Sequence, residues 1–142
     1  MPFETTILVR DTCLCLHTQR AARALARRFD EVLRPLALTN GQFSLLMSLN
    51  RPDPPSMGPV AALLAMDRTT LTAALKPLQR RGLVEVATDP TDRRGRKLRL
   101  TPDGHALLQQ AIPLWEQTHR TAESLLPGAD ATAFRAALRA LS

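Results

Sequence analysis

Apolar residues recur with the spacing of an α-helix along most of the chain. Over residues 11–34 they fall on one face, which predicts a helix capped by Asp11 or Thr12 and ended by Pro35. A second, mostly apolar helix is expected to begin after Thr39, a residue type that often caps helices. These two segments predict a helical N-terminal half.

The middle of the chain predicts two more helices. A compact helix is expected over residues 57–65, after a short proline-rich connector. The next helix should be capped by Asp67 and closed by Gly82. Its apolar positions recur at i, i+4 and i+7 and should point inward; they are Leu71, Leu75 and Leu78.

Two β-like segments and two further helices complete the pattern. Residues 83–87 and 97–100 predict a hairpin, and the second segment alternates cleanly between apolar and polar. A long helix should restart at Thr101 and bend at Pro113, and Asp130 should cap a last helix. The order α-α-α-α-β-β-α-α predicts a mainly α protein with a small β-hairpin wing, a winged helix-turn-helix.

The terminal helices carry more apolar surface than a small winged core requires. Unpaired apolar stripes at both ends of a domain imply a partner, and a symmetric homodimer is the commonest solution. We therefore expect one domain over residues 1–142, with dimerisation helices at 11–35 and 102–142. The winged helix-turn-helix part then covers residues 39–100.

Basic charge is concentrated in one quarter of the chain. The net charge is +6, and residues 66–100 hold nine basic and four acidic side chains, a net charge of +5. Of the 19 basic residues, 17 are arginine, whose planar fork pairs with phosphate and with guanine edges. An anionic partner is therefore expected, and the location of the charge favours double-stranded DNA.

The helix after Asp67 has a polar outer face suited to DNA. Its N-terminal end is the part that helix-turn-helix proteins direct at base edges, and hydroxyls there contact phosphates or thymine methyls. The outward residues are Arg68, Thr69, Thr70, Thr72 and Lys76. The alternative is that the threonines simply cover a solvent face. Pro77 removes one backbone hydrogen bond, so the helix either kinks there or its reading part ends at Lys76.

The predicted hairpin has an arginine-rich tip. Arg93, Arg94 and Arg96 lie in the turn, where a ribbon can reach the DNA backbone and minor groove. Asp92 is expected to brace the tip by holding one guanidinium while another stays free. A solvated charged turn is the alternative, and four basic residues within five positions make it the weaker one.

These segments resemble the MarR family of winged-helix transcriptional regulators. The hairpin carries the most specific match, and the resemblance extends over nearly the whole chain. The matching segments are Leu38-Thr-Asn-Gly-Gln-Phe43, Asp67-Arg-Thr-Thr-Leu-Thr72, Leu78-Gln-Arg-Arg-Gly-Leu-Val84, Asp89-Pro-Thr-Asp-Arg-Arg94 and Leu100-Thr-Pro-Asp-Gly104.

The resemblance implies a homodimer that binds a pseudo-palindromic operator and represses transcription until a small molecule or an oxidant releases it. It assigns minor-groove insertion to Arg94 and bracing to Asp92. It also implies an effector pocket between the dimerisation helices and the winged part. The candidate lining residues are Cys15, Phe43, Met47 and Trp115.

The segment Asp11–His17 is a separate chemical cluster with three interpretations left open. Cys13, Cys15 and His17 act as plain packing residues, as a redox sensor, or as ligands of a metal or metalloid. Residues two apart on a helix point about 200° apart, which argues against a Cys13–Cys15 disulfide if the helix is formed.

A second resemblance bears on the redox interpretation. Leu14-Cys15-Leu16 resembles the reactive-cysteine segment of OhrR-type peroxide sensors, which activate the thiolate with tyrosines. This chain has no tyrosine, and Asn40 and Phe43 stand where two would be expected.

Other function classes fit the sequence less well. It contains no phosphate loop, nucleophile elbow or paired catalytic carboxylates, so we expect no enzyme, no cofactor and no resident metal. A non-specific architectural DNA-binding protein is the alternative; it explains the charge but not the threonine-rich helix. Neither a signal peptide nor a membrane-spanning run is evident, which favours a cytoplasmic protein with reduced thiols.

Overall fold

The computed structural model describes residues 1–128 and 130–142. Helices dominate the described chain, and a single 3-10 turn, Arg34–Leu36, follows the second helix. The elements in order are α1 (Phe3–Thr12), α2 (Leu14–Leu33), α3 (Asn40–Ser48), α4 (Met57–Leu63), α5 (Arg68–Arg80), β1 (Val84–Thr88), β2 (Arg96–Leu100), α6 (Pro102–Ser124) and α7 (Ala131–Ala140). The winged helix-turn-helix predicted from the sequence is confirmed.

Side-chain caps begin four of these helices where the sequence predicts them. Thr39 forms a capping box with Gln42, since each side chain bonds to the other's backbone N–H. Asp67, Thr101 and Asp130 each accept a hydrogen bond from the backbone three residues on. These caps fix the starts of α3, α5, α6 and α7 by local chemistry alone.

The N-terminal prediction of one helix capped by Asp11 or Thr12 is wrong. The Asp11 carboxylate is paired with the Arg10 guanidinium, and the Thr12 hydroxyl donates to the Leu8 carbonyl, so neither side chain is available as a cap. Instead, α1 ends and the extended backbone of Cys13 separates it from α2. The Cys13 Sγ accepts a hydrogen bond from the Leu16 N–H at 3.5 Å.

Helix α5 continues to Arg80 without a break at Pro77. Leu71, Leu75 and Leu78 are buried as the spacing predicts. Gly82 follows the helix with φ of +71°, the left-handed conformation that favours glycine at a helix end. The outer face of α5 is therefore presented on one uninterrupted helix.

The hairpin is antiparallel and pairs Val84 with Leu100 at its base and Thr88 with Arg96 near its tip. The connector before α4 also joins it, because the Leu98 N–H donates to the Pro55 carbonyl at 2.9 Å. Leu98 itself is fully buried against the helical core. The wing is thus anchored to the core at its base.

Helix α6 links the wing to the N-terminal helices. It begins directly after β2, continues through Pro113 and packs against α2 and α3. The core beneath these elements is almost entirely aliphatic, with Leu33, Leu45, Leu46 and Val60 completely buried. In the described part of the chain, none of the helices combines the length and apolarity that a membrane span requires.

Candidate nucleic-acid interface

The polar face of α5 is exposed along its whole length. The predicted contact residues Arg68, Thr69, Thr70, Thr72 and Lys76 all lie on the surface. The Asp67 carboxylate accepts the Thr70 N–H at 2.7 Å, and this bond lowers the pKa of Asp67 below its usual value. The helix start is therefore held by an ionised cap that leaves the side chains beyond it accessible.

Two residues on this face have specific neighbours. The Thr72 hydroxyl donates to the Arg68 carbonyl at 2.8 Å, so Thr72 offers a methyl group and an acceptor rather than a free donor. The Arg68 guanidinium lies beside Gly58 at the start of α4, where a Cβ would be 3.6 Å from it. Arg68 is thus positioned between the two helices of the helix-turn-helix.

Asp89 organises the turn of the wing. Its carboxylate accepts hydrogen bonds from the backbone N–H and hydroxyl of Thr91, and its own N–H donates to the Gly95 carbonyl. The bonds from Thr91, with a smaller effect of the nearby Lys97 charge, hold the pKa of Asp89 below its usual value. The sequence reasoning missed this role, although an Asx turn at Asp-Pro-Thr is a local signal that predicts it.

Asp92 braces the tip differently from the prediction. Its carboxylate accepts the backbone N–H of Arg94 at 3.0 Å, and it pairs with no guanidinium in the described structure. The expected ionic clamp is therefore wrong in its chemistry, because the short Asp92 side chain closes a turn onto its own loop. The carboxylate fixes the backbone that carries Arg94 and leaves the guanidinium unengaged.

The three wing arginines differ in whether their guanidinium groups have hydrogen-bond partners. Arg96 folds back, since its Nη1 donates to the Gly95 carbonyl at 3.1 Å. Arg93 and Arg94 are exposed, and no acidic side chain pairs with either across residues 1–128 and 130–142. The tip therefore presents two uncompensated positive charges on a hydrogen-bonded turn.

Arg81 ties the end of α5 to the N-terminal part of the molecule. Its guanidinium donates to the Ala37 carbonyl at 2.6 Å and to the Leu36 carbonyl at 3.2 Å. Ala37 has φ of +51°, so this turn has a left-handed residue at its centre. Sequence reasoning missed the contact because it joins residues more than 40 positions apart, and no local pattern signals it.

The thiol cluster lies at the junction of α1 and α2. Cys15 and His17 are exposed, Cys13 is half-buried, and the Gln19 amide donates to the Cys15 Sγ at 3.1 Å. Cys13 lies before α2, in extended backbone, so the 200° separation expected for two helical residues does not apply to Cys13 and Cys15. Helical spacing therefore does not argue against a disulfide between them. Among the described residues no three His, Cys, Asp or Glu side chains come together as a metal site.

Three of the four candidate pocket residues come together, and the fourth does not. Phe43, Met47 and Trp115 line a cavity of about 330 Å³ between α3, α4 and α6. Cys15 is not part of its lining: it lies near the start of α2, whereas the other end of that helix meets α3, where Asn40 donates hydrogen bonds to Asp30. The cavity and the thiols are thus separate features.

Comparison with known proteins fits this architecture. The MarR family model matches residues 38–95, which include α3, α4, α5 and the hairpin turn. The structure of the M. tuberculosis transcriptional regulator MosR in complex with DNA is 37% identical, with a TM-score of 0.83. That similarity covers 92% of this chain and 93% of MosR. The chain belongs to the MarR family.

Two further relatives are similar over different extents. The HTH-type transcriptional repressor NicR of Pseudomonas putida is 36% identical over 80 residues, which is 56% of this chain. The chain spans about half the length of this curated relative, 51%. Bordetella bronchiseptica BpsR, described with regulation of its DNA binding by 6-hydroxynicotinic acid, is 29% identical with a TM-score of 0.79. That likeness covers 92% of this chain and 98% of BpsR.

Proposed function

We propose that this MarR-family protein is a sequence-specific DNA-binding regulator that acts as a homodimeric repressor. The observation that carries the proposal is an exposed Arg/Thr face on α5 beside a wing whose tip holds Arg93 and Arg94, neither of which forms an ion pair within the described residues. A helix of this kind fits the major groove, and the wing reaches the neighbouring minor groove. Since the operator contacts come from two subunits, its half-sites are about 10 bp apart, centre to centre.

The apolar surface of the terminal helices supports the homodimer. Large apolar side chains on α1 and α7 are exposed, for example Phe3 at 71% and Leu8 at 59%. On α7 and just after it, Phe134, Leu138 and Leu141 follow one stripe and are 38–63% exposed. Contiguous apolar surface of this kind marks protein–protein contacts, and a second copy is the simplest occupant.

Two routes of release follow from separate parts of the molecule. A small molecule bound in the Phe43–Trp115 cavity acts on α3 and α6, the helices that support the winged part. Alternatively, oxidation of the exposed Cys15, or of Cys13 beside it, acts at the α1–α2 junction. The ligand route is supported by the relative BpsR, whose DNA binding is described as regulated by an organic acid.

The remaining expectations extend the proposal. A regulator of this design needs no catalytic site, so it is not an enzyme. It acts in the cytoplasm, where the chromosomal DNA is. A non-specific architectural protein is the competing function, and sequence preference separates the two.

The central test is a gel shift on the DNA upstream of the protein's own gene. Arg94→Ala should weaken binding on the order of 10-fold for all sequences. It should also make the slope of log affinity against log salt concentration shallower by about 1 for each bound subunit. Arg68→Ala should change the preferred sequence instead. The matched control is Arg120→Ala, which removes an exposed arginine from α6 and should change neither property.

The outcomes distinguish the alternatives. Equal affinity for the upstream site and for unrelated DNA would identify an architectural protein. An unchanged sequence preference in Arg68→Ala would mean that the proposed reading end of α5 is wrong. For the release route, binding lost on peroxide treatment in the wild type but kept in Cys15→Ser assigns the switch to that thiol, whereas equal release in both removes Cys15 from the mechanism.

A further inference from the structure

The middle of the exposed face of α5 offers methyl groups, whereas positive charges lie on either side of it. The buried leucines of this helix fix its orientation, so the helical repeat directs Ala73 away from the core and Thr72 to the adjoining flank. Both side chains are exposed. Arg68 lies one turn before Thr72, and Lys76 lies one turn after it. The face therefore has an apolar centre between two cations.

The Thr72 hydroxyl is turned towards its own helix. It donates to the Arg68 carbonyl at 2.8 Å, one turn earlier. A hydroxyl has a single proton, so this bond leaves Thr72 without a donor for a base edge. Since the oxygen is held against the helix backbone, the γ-methyl group is the main part of Thr72 that remains for a bound molecule.

Neighbouring side chains on α5 are engaged elsewhere and do not cover this methyl group. The Arg68 guanidinium lies beside Gly58, where a Cβ would be 3.6 Å from its Nη2, so this side chain leans towards α4. The Asp67 carboxylate accepts the backbone N–H of Thr70 and also its hydroxyl, and these bonds lower the pKa of Asp67. The hydroxyl of Thr70 is thus also directed at the helix start and away from Thr72.

Exposed methyl groups on a major-groove helix match one feature of the bases. Thymine carries a C5-methyl group at the major-groove edge, and cytosine has only hydrogen at that position. Contact with a protein methyl group removes the thymine methyl from water, which is worth about 4-fold in affinity for each buried methyl. Uracil pairs as thymine does but lacks this group, whereas 5-methylcytosine carries it.

We propose that Thr72, flanked by Ala73, reads the C5-methyl group of one pyrimidine in each half-site, so that DNA binding responds to methylation of that base. This readout rests on the proposed function, since it requires α5 to lie in the major groove of a specific operator. It assigns an apolar contact to Thr72 and a thymine to the matching operator position. A 5-methylcytosine at that position supplies the same contact.

Base substitution tests the DNA side of this contact. In the upstream operator, thymines are replaced by deoxyuridine one symmetric pair at a time, and affinity is measured by gel-shift titration. One pair should weaken wild-type binding by about 15-fold, because a loss of about 4-fold occurs in each of two half-sites. When the same thymines are replaced by cytosine, with guanine opposite, methylation of those cytosines at C5 should strengthen binding by about 15-fold.

Two substitutions separate the methyl group of Thr72 from its hydroxyl. Thr72→Ser keeps the hydroxyl and should bind the thymine operator about 15-fold more weakly than the wild type, with no further loss on the deoxyuridine operator. Thr72→Val keeps the methyl group and should retain both the affinity and the preference for thymine. The reverse pattern, with serine tolerated and valine weak, would make Thr72 a hydrogen-bond acceptor and overturn the proposal.

Thr121 provides the matched control on α6. It is exposed, and its hydroxyl donates to the Gln117 carbonyl at 3.1 Å, a bond of the same kind to the preceding turn. Thr121→Ser and Thr121→Val should leave the affinity and the deoxyuridine effect at wild-type values. Circular dichroism verifies that every variant is folded before its affinity is compared.

The outcomes separate this proposal from the function on which it rests. A wild-type protein that binds the operator no better than scrambled DNA contradicts the proposed function and the methyl readout together. Specific binding that no deoxyuridine pair weakens contradicts the methyl readout alone. A deoxyuridine effect of equal size in the wild type and in Thr72→Ser does the same, because the thymine methyl is then read by another residue.

Discussion

At the scale of single residues, Gly104 lies where the start of α6 packs tightly against Leu83, the residue before β1. A Cβ at this position would overlap the backbone carbonyl of Leu83 and also crowd the Leu100 side chain. Thr101 stabilises the same junction, because its hydroxyl donates a hydrogen bond to the Gly82 carbonyl and accepts one from the Gly104 N–H. The glycine is required by packing rather than by backbone conformation.

Gly104→Ala should therefore lower the free energy of unfolding by about 2–3 kcal/mol, because backbone must move to admit one methyl group. Gly41→Ala is the control in the first turn of α3, where a Cβ would meet only the Thr39 hydroxyl at 4.0 Å. That change should leave stability unchanged or raise it by up to about 1 kcal/mol. Urea denaturation measures both; equal effects of the two alanines would contradict the packing argument.

At the scale of elements, α5 is defined by local signals at its start and by a distant contact at its end. Its cap, its buried leucines and its closing glycine could all be predicted from the sequence. The continuity of the helix through Pro77 could not, because the proline removes a backbone hydrogen bond and only packing against the rest of the fold can offset that loss. The Arg81 contact with the Leu36 and Ala37 carbonyls was equally invisible to sequence patterns.

Removing that contact should loosen α5 from the turn that follows α2. Arg81→Ala should lower the free energy of unfolding by about 1–3 kcal/mol, the usual range for hydrogen bonds from a charged donor. Arg80→Ala is a closely matched control: it removes a neighbouring exposed arginine for which the described structure shows no such bond, and should change stability by less than about 0.5 kcal/mol. Equal destabilisation by the two changes, measured by urea denaturation, would mean that the Arg81 bonds are not formed in solution.

The N-terminal helices also differ in how far the sequence predicts them. The apolar repeat after Leu14 correctly indicated α2, but the sequence of α1 has little amphipathic pattern, and none of its residues is buried in the described structure. Likewise, the wing arginines were evident from composition, whereas the hydrogen bonds of Asp89 and Asp92 depend on the path of the turn. Residue types at the candidate interface were predictable; which charges remain free was not.

At the scale of the whole molecule, charge and apolar surface occupy different parts of the chain. The segment 66–100 carries a net charge of +5, while residues 102–142 hold three basic and four acidic side chains. The exposed apolar stripe of α7 lies in this nearly neutral region. Low net charge favours close association of two copies there, and it separates that surface from the one proposed to face DNA.

This separation predicts that assembly can be removed without touching the DNA-binding residues. Leu138→Glu places a charge in the apolar stripe of α7, and Ala136→Glu places the same charge on the opposite side of that helix. In sedimentation velocity, the first variant should shift towards monomer and the second should stay dimeric. Because a monomer contacts only one half-site, Leu138→Glu should bind the full operator at least about 10-fold more weakly, and its salt dependence should fall towards that of a half-site. A Leu138→Glu protein that remains dimeric with full operator affinity would exclude this stripe from the subunit interface, and a monomer with undiminished affinity would remove the need for two subunits.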